Sequence, residues 1–469
     1  MLRLLSSVAA ACLLSACATA PKVPPPKVLA QSSPESFAAP VADWPAERWW
    51  TAYGDAQLSE LIAEGLRDAP AMASAQARLR RAAALVGEAA ADGLPQVDGS
   101  AAVAQAKPSY NGGLFIPQRL RGWNEVARAQ VDLSYEIDFW RKIHHGAAAA
   151  RSERAAAGAE LAAAKLVVST AIAQAYGDLA SLYTQRDAVE RAVAVRRATL
   201  AATERRVAEG HDSKAELRLA EAGPRQAAAD LASLDEDIAL TRIRIAVLMG
   251  AAPDRGLRIV RPPPATLKPH GLPAELPAQL LGRRPDLVAA RWQAQAASHR
   301  VGQARADFYP NVNLVALAGV QALGVNALFD HGSDVTSYGP AISLPIFDGG
   351  RRIARHRAAR ADFDGAIATY DEALVKALGE VAGVTASQRA LVDRLENTRA
   401  ALDASAAGWE LAKRRYDAGV VDYPAVLLAE DRMLADRRAL AVLEARRFTL
   451  DLALVRALGG GWRETGLMS

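Results

Sequence analysis

The chain has 469 residues, 56 of them lysine or arginine and 52 acidic, for a formal net charge of +4. That near balance, with bases interleaved among acids and no basic patch carrying aromatics, argues against nucleic acid as a partner. Hydrophobic residues reach 51% while aromatics stop at 6%, an alanine-heavy balance that suits closely packed helices better than a bulky globular core.

The first segment is a targeting signal. Arg3 is the positive region, Leu4–Leu14 the apolar core, and residues 1–16 read as a removed signal peptide. Leu14-Ser15-Ala16-Cys17 resembles the lipobox of exported bacterial lipoproteins, which implies that Cys17 is the lipidated first residue of the mature chain, several acyl chains anchoring firmly at roughly 0.8 kcal/mol per buried methylene; a non-lipid signal cleaved nearby, with Cys17 incidental, is the alternative. Cys12 falls in the removed part, so no internal disulfide is possible. Ala18 stands where an Asp would favour inner-membrane retention in exported lipoproteins, so the outer membrane is expected. Residues 17–56 form a tether rich in proline, ending in the aromatics Trp44, Trp49, Trp50 and Tyr53, which are read as packing against the body.

The remainder is written twice. Pro70 and Pro285 open helices 215 residues apart, and Pro95 and Pro310 close them at the same offset. Gly210 and Gly419, like Gly250 and Gly459, are 209 apart, so one short loop difference accounts for the drift. Repeat one covers 57–250, a linker 251–277, repeat two 278–459 and a tail 460–469. Each repeat reads helix, strand, strand, long helix, helix. Arg283-Arg284-Pro285-Asp286, at the start of the second, is read as a structural junction rather than an anion site.

Beyond the N-terminus no apolar run reaches the about 18 residues of a membrane helix, so membrane passage falls to strands. Ala127, Ala129, Val131, Leu133, Tyr135 and Ile137 alternate with Arg128, Gln130, Asp132, Ser134 and Glu136. The other strands are expected at Gln96–Lys107, Asn311–Gln321 and from Tyr338 to Phe347, with outside loops Pro108–Glu125 and Ala322–Val335. Phe139, Trp140 and Phe347 are placed at the inner rim, where aromatics favour the interface. Four strands cannot close a barrel and lipid forbids open edges, so several copies must share one barrel or the strands lie outside the membrane. The fourth strand is read as running directly into a long helix through the hinge Asp348, Gly349 and Gly350, a geometric device without chemistry.

Past that hinge the period becomes seven. Ile367, Leu374, Val381, Gln388, Leu395, Leu402, Trp409 and Tyr416 form one row, with Gln388 its polar exception. Ile172, Leu179, Val193, Leu200 and Val207 do the same in the first half, with Arg186 interrupting. A strict heptad of this length demands a left-handed supercoil against neighbours. The long helix of each half is about as long as its two shorter helices together, so the shorter pair is expected to stack end to end beside it.

No Walker sequence, GxSxG or HExxH occurs, and His144-His145 has no ligand geometry by itself; no catalytic residue, cofactor or metal is expected.

These residues resemble the TolC-like outer-membrane efflux proteins, specifically the lipoprotein branch serving resistance-nodulation-division pumps. The resemblance rests on Cys17, Trp49-Trp50 with Gly54-Asp55, Arg283-Arg284-Pro285-Asp286, Leu344–Arg351, Tyr416-Asp417-Ala418-Gly419 and Leu458–Trp462. It implies a mostly α fold with a membrane β-barrel part, a homotrimer whose four strands per chain close one barrel, and long coiled-coil helices reaching into the periplasm. Implied partners are a periplasmic adaptor, an inner-membrane pump and outer-membrane lipid. The implied entrance lies at the helical turns near Gly210 and Gly419, where Tyr416 matches a tyrosine that helps hold the closed state. The family's constriction acids align with Ala425 and Leu428, leaving Asp417, Asp422 and Glu430 as possible entrance charges; Pro424 is tolerable as a first helical residue. The function implied is the exit duct of a tripartite pump for small toxic compounds. A duct for a secreted protein and a pore-less structural lipoprotein are the alternatives.

Overall fold

The computed structural model describes residues 20–24, 43–111, 117–118, 121–263 and 282–464. The signal peptide, Cys17, most of the tether, the second part of the linker and the end of the tail lie outside the described residues. Among the described residues seven α-helices and four strands follow one another as α1 (Ala56–Asp68), α2 (Pro70–Ala91), β1 (Gln96–Ala106), β2 (Asn124–Glu136), α3 (Lys142–Ala208), α4 (Lys214–Leu248), α5 (Pro285–Ala306), β3 (Asn311–Leu323), β4 (Asp334–Ser343), α6 (Arg351–Asp417) and α7 (Tyr423–Ala457). The repeat is thus literal: α3 and α6 each run 67 residues, α4 and α7 each 35.

The chain divides into two compact units, each built from both repeats. One holds the described residues within 1–25, 79–156 and 290–370. Its centre is a four-stranded antiparallel sheet in the order β1-β2-β3-β4. Cross-strand partners share a face, so register decides which residues lie together. Val131 pairs with Gly99 and Ala318, Leu133 with Val97 and Ala316, and Ala316 in turn with Tyr338. Ile342, opposite Val312, continues this apolar face, and it is not packed: Tyr338 is 85% exposed and Ile342 71%. The other face gathers Asp98, Ser100, Arg128, Gln130, Asp132, Ser134 and Asn313. A sheet folded for water would bury the first face and expose the second.

The fourth strand has the expected ten residues but lies four earlier, at Asp334–Ser343 rather than Tyr338 to Phe347. Asn311 opposite Ser343 is the last pair, because Pro310 ends the partner strand and Pro345 has no N–H to donate. Residues 344–348 are irregular, so β4 does not run directly into α6. Gly349 and Gly350 take φ of 66° and 87°, and Asp348 accepts from the Gly350 and Arg352 amides at 3.2 Å and from Arg352 Nε at 2.8 Å. Arg352, with these amides, holds the Asp348 carboxyl below the usual carboxylate range. In the first repeat Arg141 adopts the left-handed conformation at φ 61°, a strained choice for a residue with a Cβ, while Asp138 accepts from the His144 amide at 2.8 Å. Trp140 of the expected rim is half-buried, its indole donating to the Pro310 carbonyl at 2.7 Å and its ring stacked on Tyr309.

The second unit holds the described residues within 26–78, 157–289 and 371–469. Its main core joins Trp49, Trp50, Tyr53, Leu58, Leu61 and Ile62 to Ile172, Leu179, Ile245 and Met249, so the tether's aromatics pack as expected. Asp55 caps α1 by accepting from the Leu58 amide, and its other oxygen accepts from Tyr176 at 2.7 Å. The linker begins packed rather than free: Pro253–Arg258 forms a 3-10 turn, Ile259 is buried, and Arg255 and Arg261 pair with Glu64 and Asp187.

Helix ends meet in this unit. A Cβ on Gly250, after α4, would lie 2.7 Å from the Asp68 carbonyl and 2.8 Å from Pro70, at the start of α2. A Cβ on Gly459, after α7, would lie 2.2 Å from the Arg283 carbonyl, beside the start of α5. Both glycines have positive φ, so the turn and the close approach each demand glycine. The shorter helices of each half therefore stack end to end.

The heptads behave as their period requires. Leu374, Val381, Leu395 and Tyr416 of α6 are buried, and Ile367, Gln388, Leu402 and Trp409 half-buried. Arg186, the interruption in α3, reaches Asp235 of α4 at 2.6 Å. One expectation needs correction. α3 does contain an 18-residue window of mean hydropathy 1.4, the one such helix among the described residues. The window is alanine-rich and 44% buried, so its apolarity serves close helix packing in the protein.

Candidate functional site

The turns at the free ends of the two long hairpins were expected to form the entrance, and both lie in the second unit. Each is a Schellman turn. The Gly210 amide donates to Val207 O and His211 N to Arg206 O; in the second repeat Gly419 donates to Tyr416 O and Val420 N to Arg415 O. Gly210 and Gly419 supply the left-handed residue at φ 78° and 70°. The first turn feeds α4 through a capping box between Ser213 and Glu216. The second feeds α7 through Asp422, whose side chain makes no cap bond, with Tyr423 and Pro424 following.

The two turns are joined by side chains. The Tyr416 hydroxyl donates to Asp212 Oδ2 and lies 3.4 Å from Thr203 Oγ1, which is fully buried. Arg206 donates to both Asp212 oxygens at 3.1 and 3.0 Å and to the Tyr416 carbonyl at 3.3 Å. Its guanidinium also lies over the Tyr416 ring at 4.4 Å. Burial alone would raise the Asp212 carboxyl; the bonds from Arg206 and Tyr416 outweigh it and hold the group below its usual range. Tyr416 is pushed up by burial and by Asp212. Tyr416, Tyr423, Val426 and Ala220 share one small core.

Two to three turns deeper along α3, Arg196 spans three helices. It donates to the Gly223 carbonyl of α4 and pairs with Glu430, at 3.4 Å, and Asp431 of α7. Glu430 is therefore no solvated surface charge, being 1% exposed, whereas Asp417 and Asp422 are exposed. Burial raises the Glu430 carboxyl, and Arg196 only partly offsets it. An acid with a raised folded-state pKa opposes folding above its unfolded pKa, and the penalty disappears as pH falls below that value. Glu430→Gln should thus lessen the loss of thermal stability as pH rises above about 4, read by melting the purified protein through that rise. An unchanged profile would contradict the assignment.

Thr203, Arg206, Asp212 and Arg196 were not singled out from the sequence. Only Tyr416 offered a signal, and its partner Asp212 is 204 residues away. Among the described residues no group of three or more His, Cys, Asp or Glu could hold a metal ion.

The outer membrane efflux protein family matches residues 61–251 and 276–460, one span in each repeat and most of the chain. The chain belongs to this family. The 209- and 215-residue offsets reappear in the bounds of those spans. The outer membrane protein VceC from Vibrio cholerae is 40% identical, covers 89% of this chain and all of its own, and superposes with a TM-score of 0.84. Among relatives, the multidrug resistance outer membrane protein MdtP of Escherichia coli K12 is 29% identical over 90% of this chain and 87% of its own length. The probable outer membrane lipoprotein SilC of Salmonella typhimurium is 27% identical over 95% and 94%. The expected family, the mostly helical fold with its small sheet, the outer-membrane location and efflux as the work done all stand on these findings.

Proposed function

We propose that three copies of this chain close one barrel from their four-stranded sheets and form the exit duct of a tripartite pump. Small toxic compounds pass through it from a periplasmic adaptor and an inner-membrane pump to the outside. The observation that carries the reading is the sheet: an exposed apolar face, a polar opposite face, and edges β1 and β4 with one neighbour each. Strands of 10 to 13 residues are long enough to cross a bilayer when tilted. Lipid tolerates no open edge, so β1 of one copy finds β4 of the next.

In this reading Cys17 carries the lipid anchor, the two repeats supply equivalent walls, and 251–277 links them. The turns at Gly210 and Gly419 are the entrance and the adaptor contact. Tyr416 holds that entrance shut through Asp212, and Asp417 and Asp422 are the charges left exposed beside it. Asp348, Gly349 and Gly350 turn strand direction into helix direction.

Loss of the gene should lower the inhibitory concentration of at least one toxic compound several-fold, with the secreted proteins unchanged. A changed secretome with unchanged drug susceptibility would favour a protein-export duct instead.

A further inference from the structure

Residues 20–24 belong to the strand unit, whereas 43–56, the tether's other described residues, belong to the second unit. They lie against α5 and α6 with Pro21 and Val23 half-buried and Lys22 and Pro24 exposed, an extended segment with one face down. Val23 packs on a core of Ala297 and Val301 from α5 and Phe363 from α6, flanked by Ala359 and Ala366. Beside it Ser298, which is fully buried, donates its hydroxyl to the Pro21 carbonyl. A buried serine in mid-helix usually turns its hydroxyl back on its own helix; this one bonds the segment laid over it.

The distances give this seat a meaning. Ser298 is eight residues before the end of α5 and Phe363 twelve after the start of α6, so the seat lies about 12–18 Å along the helices from the point where they meet the strands. Cys17 precedes Pro21 by four residues, which span at most about 14 Å when extended. A docked Pro21 therefore lets Cys17 come back to the level of the strand–helix junction and hardly beyond it.

We propose that Ala20–Pro24 is a measuring strap: its seat in the α5–α6 groove sets the height of the acylated Cys17 at the inner face of the outer membrane. The acyl chains then enter the periplasmic leaflet at the level where the apolar sheet face begins. The proposal rests on the reading of Cys17 as lipidated, and the test separates the two.

Ser298→Cys in the otherwise unaltered, membrane-extracted protein places one thiol under the strap. A maleimide should label it at least tenfold more slowly than the same thiol combined with Val23→Asp, with Lys22→Ala as the exposed-side control. Equal rates would overturn the seat. Deleting Ala18 and Thr19 leaves an alanine after Cys17 but removes about 7 Å of reach. It should lower the outer-membrane yield of heat-modifiable trimer at least fivefold, while a two-residue insertion after Pro25 leaves it unchanged. Equal yields from both would overturn the measuring role. Maleimide on Cys17 of the unaltered chain would show a free thiol there, refuting the lipid and with it the height setting, whatever the Ser298→Cys thiol reports.

Discussion

Arg284→Ala should cost about 1.5–3 kcal/mol and lower the melting temperature clearly. Arg284 is 5% exposed and makes four bonds: to the two Asp286 oxygens at 3.0 and 2.6 Å, to Glu380 at 2.7 Å, and to the Ala457 carbonyl at 3.1 Å. It thereby closes the last turn of α7, holds the first turn of α5, and binds both to α6. Removing it strands two carboxylates and a helix-end carbonyl together. Burial would raise the Asp286 carboxyl, yet Arg284 and the Leu287 amide keep it below the usual range. The stability this contributes is present above the unfolded pKa and is lost as pH falls through the folded one. Arg284→Lys keeps the charge but not the paired donors, so it should fall between wild type and alanine. Arg283→Ala, which removes a cation over the Trp44 ring at 4.7 Å, should cost under about 1 kcal/mol. Thermal melting of the purified protein decides; an Arg284→Ala variant as stable as wild type would refute the junction.

Tyr416→Phe combined with Asp212→Ala should raise the conductance of the reconstituted protein several-fold. A hydrogen bond to a charged group contributes roughly 1.5–3 kcal/mol, and each 1.4 kcal/mol is about a tenfold change in an equilibrium. If the turns form the proposed entrance, one such bond per copy is enough to shift its balance between open and shut. The double substitution also takes the Asp212 partner from Arg206, so the hairpin of α3 and α4 keeps only the Arg206 bond to the residue-416 carbonyl and its stack over that ring as ties to the α6 turn. Tyr423, buried beside them and pushed up to about 12 by burial, has no part in the tie and stays as a packing residue. Current traces identical to wild type would mean that these bonds only fold the turn and do not gate it.

Much of this was legible in advance because it is periodic. Heptads, the paired proline and glycine marks and the alternation of β2 all repeat, and repetition survives without knowledge of contacts. The misses share a cause. Leu344 and Ile346 continue an alternation that β4 abandons, because the partner strand ends at Asn311 and only pairing makes a strand. Arg141 takes a glycine's conformation with no glycine to announce it. Arg196 meets Asp431 across 235 residues, and Glu430 is buried by that meeting; read alone, it is one more charge on a helix. The network at the turns is likewise tertiary, and so is the seat of Pro21 on Ser298. Arg284 shows the converse: its motif was visible, but Ala69, its counterpart in the first repeat, shows that the ion network belongs to one junction only.

If several copies of this chain make one conducting duct, planar-bilayer recording on protein extracted from the outer membrane should show it. Unitary currents should come from a heat-modifiable trimer, vanish after boiling, and grow when Tyr416 and Asp212 are replaced. A protein that extracts as a monomer and passes no current would contradict it.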